Sequence, residues 1–501
     1  MDKEVSNTQK VMKGISSQTI VTIVLGVVEI VTFSIMSRLL TKEDFGYYAA
    51  ITAITAVFAT FSDTGIGSSI VQQKNINKRY VDNAFTLSLI FGLFISLLLF
   101  SLSGVLSRSV ADVSMKVPLM LMSITLLLHC LTSVNFSLMH RKLQFFRIGS
   151  IKLVSLVITM SIAIWLAYRG FGYYAIITKA VLDSLLRYLL SLVLCRTRFG
   201  IALNGSTIKK IFSFSGWLMA SSLFRNLSHQ IDKLLMPRLL SVNALGSYNR
   251  PKEFVEQISS NLNGIFDSAL FPVLSGIQDD IPRLNSAFKR SVYYMNIFAM
   301  FLTLLFVFNS SLLIRIFLGA QWLNLKFVMM VSSCTILFNI DGRLADCYLR
   351  SLGMTKQQFF FRIFEFVLKT LGVLIGYHWG IIGVAFSVVI TNTIAKTIKI
   401  GYIGNRIEVT VKECFSIIFS SWRFAITLIP ICLLALYLLP QGWIGNIAFA
   451  GIFSISTFII FLFIPRIVGG LYYKEGFVKI KSFITLKLCN KNTNNNLNNL
   501  V

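Results

Sequence analysis

The sequence predicts an all-α polytopic membrane protein: about 14 transmembrane helices, in two parallel six-helix repeats plus two extra C-terminal helices. Three observations carry that prediction. Of 501 residues, 55% are hydrophobic and 14% charged, with a mean hydropathy of +0.72, whereas soluble domains carry about 25% charged residues. A chain this long and this poor in charge cannot cover a water-facing surface. Apolar runs of span length then recur throughout, and one motif returns at an offset of 200 residues.

A span needs roughly 20 apolar residues. Runs that qualify lie near 16–40, 46–71, 82–106, 117–139, 147–168 and 171–195. A second set lies near 211–236, 246–275, 289–317, 326–349, 359–378 and 380–402, and a last pair near 420–439 and 443–465. The first run follows Lys3, Lys10 and Lys13, is longer than a signal-peptide core and lacks an A-x-A site, so it is expected to remain as a span. The organisation expected is an N-lobe over 1–200, a C-lobe over 201–412, helices 13 and 14 over 413–466, and a cytoplasmic tail over 467–501. Seven asparagines within 490–499 mark the end of that tail as unstructured.

The net charge of +26 is distributed as an orientation signal. The N-terminus and every second loop after it hold 28 Lys and Arg, against 8 in the opposite loops. Basic residues mark the cytoplasmic side, so both termini are expected inside. Nucleic acid is excluded as a partner by the same pattern. The seven cysteines are scattered, no C-x-x-C, H-E-x-x-H or P-loop occurs, and the four histidines lie far apart. No metal site, cofactor site or disulfide framework is therefore expected.

The repeat rests on residues 37–48 and 237–248, which share Arg, Leu, Leu, Gly and Tyr at five of twelve positions without a gap. A weaker echo pairs 170–175 with 380–385. Six helices is an even number, so the two halves would stand the same way up, with a substrate path at their interface. The repeat also rescues 246–275, which hydropathy alone rejects because of Arg250, Lys252, Glu253 and Glu256. Wound as a helix, that segment has a stripe of Arg250, Glu253, Gln257, Asn261, Gly264 and Ser268 and a separate apolar stripe. It either crosses with the polar stripe on water or protein, or lies flat at the interface.

Charge inside a bilayer costs roughly 2.5–3.5 kcal/mol per residue on insertion scales, so each such residue needs a reason. Lys179, Asp183 and Arg187 share one face of the sixth helix and either pair structurally or face a cavity. Ser222, Arg225, Asn226, His229, Asp232 and Lys233 share a broad face of the seventh. With Arg250, Lys252, Gln257 and Asn261 they are candidates for cavity lining or for a structural ion network. Arg225, Arg250 and Lys252 suit a phosphate, and the amides and mixed charges suit sugar hydroxyls. Glu29, Asp63 and Asp232 are candidates for ion coupling. Glu365 and Lys369, at i and i+4, read as a local pair.

Several motifs resemble one family. They are Arg38-Leu39-Leu40-Thr41 with Phe45-Gly46-Tyr47-Tyr48, Asp232-Lys233-Leu234-Leu235 with Arg238-Leu239-Leu240, and Leu245-Gly246-x-Tyr248-x-Arg250. Phe271-Pro272-Val273-Leu274-Ser275 followed by Asp279-Asp280 completes the set. The chain resembles bacterial polysaccharide (O-antigen type) flippases of the multidrug/oligosaccharidyl-lipid/polysaccharide exporter superfamily, over about residues 10–465. Pro237, where glycine is expected, and the missing alanine after Arg250 depart from the pattern.

The resemblance implies two six-helix lobes around a cleft lined largely by helices 1, 2, 7 and 8. It implies alternating access that moves an undecaprenyl-diphosphate-linked oligosaccharide from the inner to the outer leaflet of the bacterial cytoplasmic membrane, in lipopolysaccharide or polysaccharide biosynthesis. Partners would be that lipid-linked oligosaccharide, membrane lipid and polysaccharide assembly proteins, with no enzymatic activity. Two rivals stand beside this reading. A drug or small-cation exporter of the same architecture would favour acids over bases in the cleft, which the mixed charges do not. A membrane polysaccharide polymerase would need an outward catalytic platform, and no outward loop exceeds roughly a dozen residues.

Overall fold

The computed structural model describes residues 24–62, 66–72, 76–110, 112–195, 199–202 and 205–438, with residues 21 and 197 and short pieces between 445 and 456. Side chains at 205–219 and 261–269 are among those outside the description. Residues 1–20, Asp63, most of the expected last span and the tail 467–501 also lie outside it.

Every regular element among the described residues is helical. In chain order they begin with α1 (24–39), α2 (Lys42–Ser62), α3 (Ile66–Gln72), α4 (Lys78–Val110) and α5 (Lys116–Arg141). Then come α6 (Phe145–Tyr168), α7 (Tyr173–Cys195), α8 (Gly205–Leu239), α9 (Val242–Gly276) and α10 (Ile281–Phe308). The rest are α11 (Ser310–Leu313), α12 (Lys326–Ser333), α13 (Thr335–Ser351), α14 (Thr355–Gly376), α15 (Gly380–Arg406) and α16 (Val411–Leu438). Seven described stretches are long and apolar enough to cross a bilayer: Lys42–Phe61, Lys78–Val110, Val113–Arg141, Phe145–Tyr168, Ile281–Phe308, Ala320–Ser351 and Thr355–Arg406. The last of these holds both α14 and α15. The protein is a multi-pass helical membrane protein.

Two predicted spans differ in detail: 326–349 is interrupted at Cys334 between α12 and α13, and 289–317 departs further. The run 289–317 was expected as a single helix, but α10 starts at Ile281 and stops at Phe308. Asp280 sets the start, its carboxylate accepting from the backbone N–H of Arg283 at 3.1 Å. At the other end the Asn309 amide bonds back to the Leu305 carbonyl at 2.9 Å, a local competition that favours helix ends. The chain continues through α11, a π-helical turn (Ile314–Leu318) and a 3-10 turn (Ala320–Leu325). Gly319 joins the two turns at φ +105°, where a side chain would be strained.

The chain forms two compact units. The first comprises 1–261, 313–332 and 353–395, and the second comprises 262–312, 333–352 and 396–501. In the second, α10 packs on α13 and α16, with Phe288 edge-on to Tyr348 at 5.1 Å. Its polar groups pair internally: the Asn296 amide donates to buried Asp341 at 2.7 Å, Lys399 to Asp346 at 2.9 Å, and Lys396 to Asn339.

In the first unit the repeated motif has a local function. Thr41 and Asp44 form a capping box at the start of α2, with Thr41 N–H donating to Asp44 at 3.0 Å and Asp44 N–H to Thr41 Oγ1 at 3.2 Å. At the corresponding place before α9, Ser241 Oγ accepts from the Ala244 N–H at 3.0 Å. Positions related by the offset of 200 then meet one another. A Cβ at Gly46 would fall on the Val242 carbonyl, and a Cβ at Gly246 would fall on the Lys42 carbonyl and close to the Gly46 nitrogen. The first turns of α2 and α9 thus touch backbone to backbone, which only glycine permits.

The segment 314–325 is knitted onto the end of α1. Gln321 and Trp322 side chains donate to the Ser37 carbonyl at 2.6 and 2.9 Å, and Arg38 donates to the Ile316 carbonyl at 2.8 Å. Those carbonyls would otherwise be orphaned at a helix end. Trp322 is fully buried and edge-on to Phe45 at 5.7 Å.

The glycine contact makes a direct prediction. Gly246→Ala drives a methyl group into backbone that cannot swing aside, so its cost should exceed the about 1–3 kcal/mol of ordinary overpacking. Gly401→Ala, where an added Cβ meets nothing within 4 Å, should be neutral or stabilising through helix propensity. Thermal melting of the two variants in detergent checks this; equal melting temperatures would refute the backbone contact.

Candidate functional site

The polar side chains that hydropathy cannot explain gather in the first unit, in two groups joined by α9. The first group centres on Arg250, which is 4% exposed. Its guanidinium donates to Ser37 Oγ at 2.9 Å, to the Phe33 carbonyl at 2.8 Å and to Glu253 at 3.1 Å. It also lies over the Phe33 and Phe45 rings, 3.3 and 4.0 Å from their centroids. A guanidinium is suited to this: it is weakly hydrated, always charged and planar enough to stack. Arg250 therefore fastens the start of α9 to α1 and α2.

Two turns on from Arg250, the Gln257 amide donates to Glu29 of α1 at 3.1 Å. Glu29 is in electrostatic reach of Lys152 on α6 and Lys179 on α7. On α7, Asp183 binds Arg187 at 2.8 Å and also accepts from Ser155 of α6 at 2.9 Å. Arg187 and Asp183 side chains are 32% and 16% exposed. The apolar faces of these helices lie elsewhere. Val24, Val27 and Val31 are exposed on the side of α1 away from Glu29, and Val154, Val157 and Ile158 on the side of α6 away from Lys152. On α7 the exposed stripe Leu185, Leu189 and Val193 is rotated about a third of a turn from Lys179, Asp183 and Arg187. The charged stripes of α1, α6 and α7 consequently face away from the exposed apolar stripes and form a partly exposed polar seam.

The second group centres on Asp232 of α8, which is completely buried. Lys252 of α9 binds it closely, Lys369 of α14 sits at 3.3 Å, and the Tyr248 hydroxyl donates to it at 2.8 Å. Lys252 also reaches Glu256 at 3.6 Å, and Lys369 donates to the Ser228 carbonyl at 2.7 Å. Two ammonium groups and two carboxylates thus balance inside the bundle and tie three helices together.

Each residue singled out from the sequence has a definite place. Arg250 and Gln257 join the first group, and Lys252 and Asp232 the second. Asn226 donates to Thr60 of α2 at 2.7 Å. Arg225 and His229 are exposed on α8, with His229 in electrostatic reach of Glu256. Asn261 lies within α9, its side chain outside the described residues, as is Asp63 entirely. The expected local pair of Glu365 and Lys369 does not form. Glu365 takes Arg362 at 2.6 Å, and Lys369 turns across to Asp232. The sequence did not show this, because helix spacing cannot say which helix supplies the cations of a buried Asp.

Fold and motifs can now be set beside known proteins. A family model described as "Polysaccharide biosynthesis protein" matches residues 35–327, more than half of the chain. The chain belongs to this family. A relative, "Lipopolysaccharide biosynthesis protein WzxC" of Escherichia coli (strain K12), is 24% identical over 394 residues, covering 77% of this chain and 80% of its own. "Teichuronic acid biosynthesis protein TuaB" of Bacillus subtilis (strain 168) is 23% identical over 357 residues, covering 67% and 71%. Among solved structures, "Lipid II flippase MurJ, inward closed conformation" superposes with a TM-score of 0.70 over 90% of this chain and 98% of its own, at 14% identity. That likeness establishes the fold of this polysaccharide biosynthesis protein.

The second group predicts an asymmetry among its members. Asp232→Asn leaves two buried ammonium groups facing a neutral amide and should cost about 3–5 kcal/mol. Lys369→Met leaves Asp232 with Lys252 and should cost well under that. Thermal unfolding in detergent should place Asp232→Asn far below Lys369→Met, and equal losses would show that Asp232 does not organise the group.

Proposed function

We propose that the protein is a flippase, moving undecaprenyl-diphosphate-linked oligosaccharide from the inner to the outer leaflet of a bacterial cytoplasmic membrane by alternating access. The observation that carries this reading is the polar seam of the first unit, lined by α1, α6, α7 and α9 and flanked by lipid-compatible faces. A headgroup with sugars needs such a path, because its hydroxyls must exchange water for donors and acceptors of similar strength. The polyprenyl chain needs none and stays in lipid. Membership of a polysaccharide biosynthesis family supports the glycan, and the lipid II flippase fold supports a lipid-linked one. Relatives named for lipopolysaccharide and teichuronic acid biosynthesis support a glycan cargo.

In this reading the chain has 14 spans, with lobes over 1–200 and 201–412, helices 13 and 14 over 413–466 and both termini in the cytoplasm. The capping motifs before α2 and α9 and their reciprocal glycine contacts support the repeat. Arg225, His229, Gln257 and Asn261 are assigned to the sugar path. Arg250 and Lys252 act by holding its walls, and polysaccharide assembly proteins receive the product. Glu29 is the coupling candidate, because Asp232 is already neutralised by two lysines. The seam has at least as many bases as acids, which speaks against a small-cation exporter.

Reconstitution in proteoliposomes with undecaprenyl-diphosphate oligosaccharide from the source cells tests the function. Protein-dependent exposure of the sugar to an added lectin is the expected result, and none would overturn the reading. Under an imposed proton gradient, Glu29→Gln should abolish gradient stimulation and spare the basal rate. For orientation, a cysteine at Lys116 should react with impermeant maleimide in intact cells, and one at Lys356 only after permeabilisation.

A further inference from the structure

Asp232, Asp346 and Glu365 each hold a lysine or arginine at ion-pair distance. Asp341 of α13, in the second unit, is different. It is 4% exposed and has no basic group within ion-pair distance among the described residues. Its hydrogen bond comes from the Asn296 amide of α10 at 2.7 Å. The two helices run antiparallel here, since Phe288 meets Tyr348 while Asn296 meets Asp341. Asp341 lies ten residues before the end of α13 at Ser351, a rise of about 15 Å, or roughly half the thickness of a bilayer core. An ionised carboxylate at that depth without a cation is costly.

The charged groups around it are turned to other partners or other directions. On α15, Lys396 passes over Gly342, its side-chain carbons 2.9–3.1 Å from where a Cβ would stand, and donates to Asn339. It remains in electrostatic reach of Asp341 without contact. Lys399 takes Asp346 at 2.9 Å. Arg343 of α13 and Arg423 of α16 are exposed. Arg290 of α10 stands six residues before Asn296, about two thirds of a turn round the helix from it.

The hydrogen bonds of Asn296 show what Asp341 needs. Asn296 is fully buried. Its amide nitrogen donates to the Val292 carbonyl at 2.9 Å and to Asp341 at 2.7 Å, and its Oδ1 has no partner. A buried oxygen of this kind ordinarily has a donor. A primary amide and a carboxylic acid complete one another, the amide N–H donating to one acid oxygen and the acid O–H to the amide oxygen. The first of those bonds is present, and the acceptor of the second is open.

We propose that Asp341 is a proton-binding site, bearing its proton in this conformation and donating it to Asn296 Oδ1, so that an amide–acid pair joins α10 to α13. Release of the proton breaks the O–H bond, leaves the electron pair on the carboxylate and passes the proton to water. The second hydrogen bond then becomes a contact between two acceptors, and the joint between the helices loosens. The ion is a proton rather than a metal cation, because the amide presents an N–H to the carboxylate. The site makes no use of the cargo and stands or falls apart from the flippase reading.

Infrared spectroscopy of the protein in lipid nanodiscs at neutral pH tests this, since a protonated carboxyl has a C=O stretch that a carboxylate lacks. Wild type should show such a band, shifted down in heavy water, and Asp341→Asn should remove it. Asp346→Asn should leave it. Asn296→Leu removes both partners and should move it to higher frequency. A spectrum that Asp341→Asn does not change overturns the site. Asp341→Asn keeps a donor and an acceptor for Asn296, so the fold should survive. If it does not, the Asn296→Leu spectrum decides, and an unmoved band overturns the site. Melting in detergent is the second reading. A carboxyl protonated in the folded protein and ionised in the unfolded chain binds more protons folded, so stability falls as pH rises. Wild type should therefore lose melting temperature with rising pH more steeply than Asp341→Asn, and equal slopes overturn the site. Exchanging potassium for sodium should change neither reading, and loss of the band in sodium alone would make this a metal site.

Discussion

Asp232 is the charge on which the architecture of the first unit depends. A carboxylate with no exposure in a membrane protein has no water to fall back on, so its counter-ions must come from the chain itself. Lys252 and Lys369 supply them from α9 and α14, and Tyr248 fills a remaining lone pair. Because Lys369 lies 137 residues from Asp232 in sequence, the ion group fixes which face of α14 meets α8 and α9, a specification that apolar packing in lipid provides poorly. Arg250 does the corresponding work two residues from Lys252, fastening α9 to α1 and α2 through Ser37, the Phe33 carbonyl and two aromatic rings. One short stretch of α9 thus anchors helices on both sides of it. The charges that made hydropathy reject this segment as a span are the ones that hold it in place.

The reciprocal contacts at the helix starts add a geometric constraint. Gly46 meets Val242 and Gly246 meets Lys42, so each copy of the motif supplies the glycine that admits the other copy's carbonyl. Thr41 and Ser241 cap the two helices locally, and the glycines then allow the capped ends to touch. A motif that would be a modest helix start alone becomes, in duplicate, a joint.

Much of this was legible in the sequence, for reasons that differ from element to element. Helix positions followed from apolar runs because lipid leaves the backbone little alternative to hydrogen-bonding itself within a helix. The end of α10 at Phe308 was not legible, since Asn309, Gly319 and the bonds from Gln321 and Trp322 to Ser37 act against a run that hydropathy reads as continuous. The polar face of α7 was legible from the i, i+4, i+8 spacing of Lys179, Asp183 and Arg187. Partners were not. Helix spacing pairs Glu365 with Lys369, whereas the fold pairs Glu365 with Arg362 three residues away and sends Lys369 across to Asp232. Local periodicity says which residues share a face, and only the tertiary fold says what that face meets.

The division of the cations into two kinds gives the clearest link from structure to mechanism. A carrier must bind its cargo without letting the cargo's own contacts hold the protein together, or release would dismantle the wall. Arg250, Lys252, Lys369 and Arg362 answer to carboxylates of the same chain and can stay in place while a ligand comes and goes. Lys152 and Lys179 have no carboxylate within ion-pair distance among the described residues and lie partly buried on α6 and α7. A ligand shifts a conformational equilibrium only by its differential affinity for the two states. An ion group already satisfied within the chain contributes little to that difference.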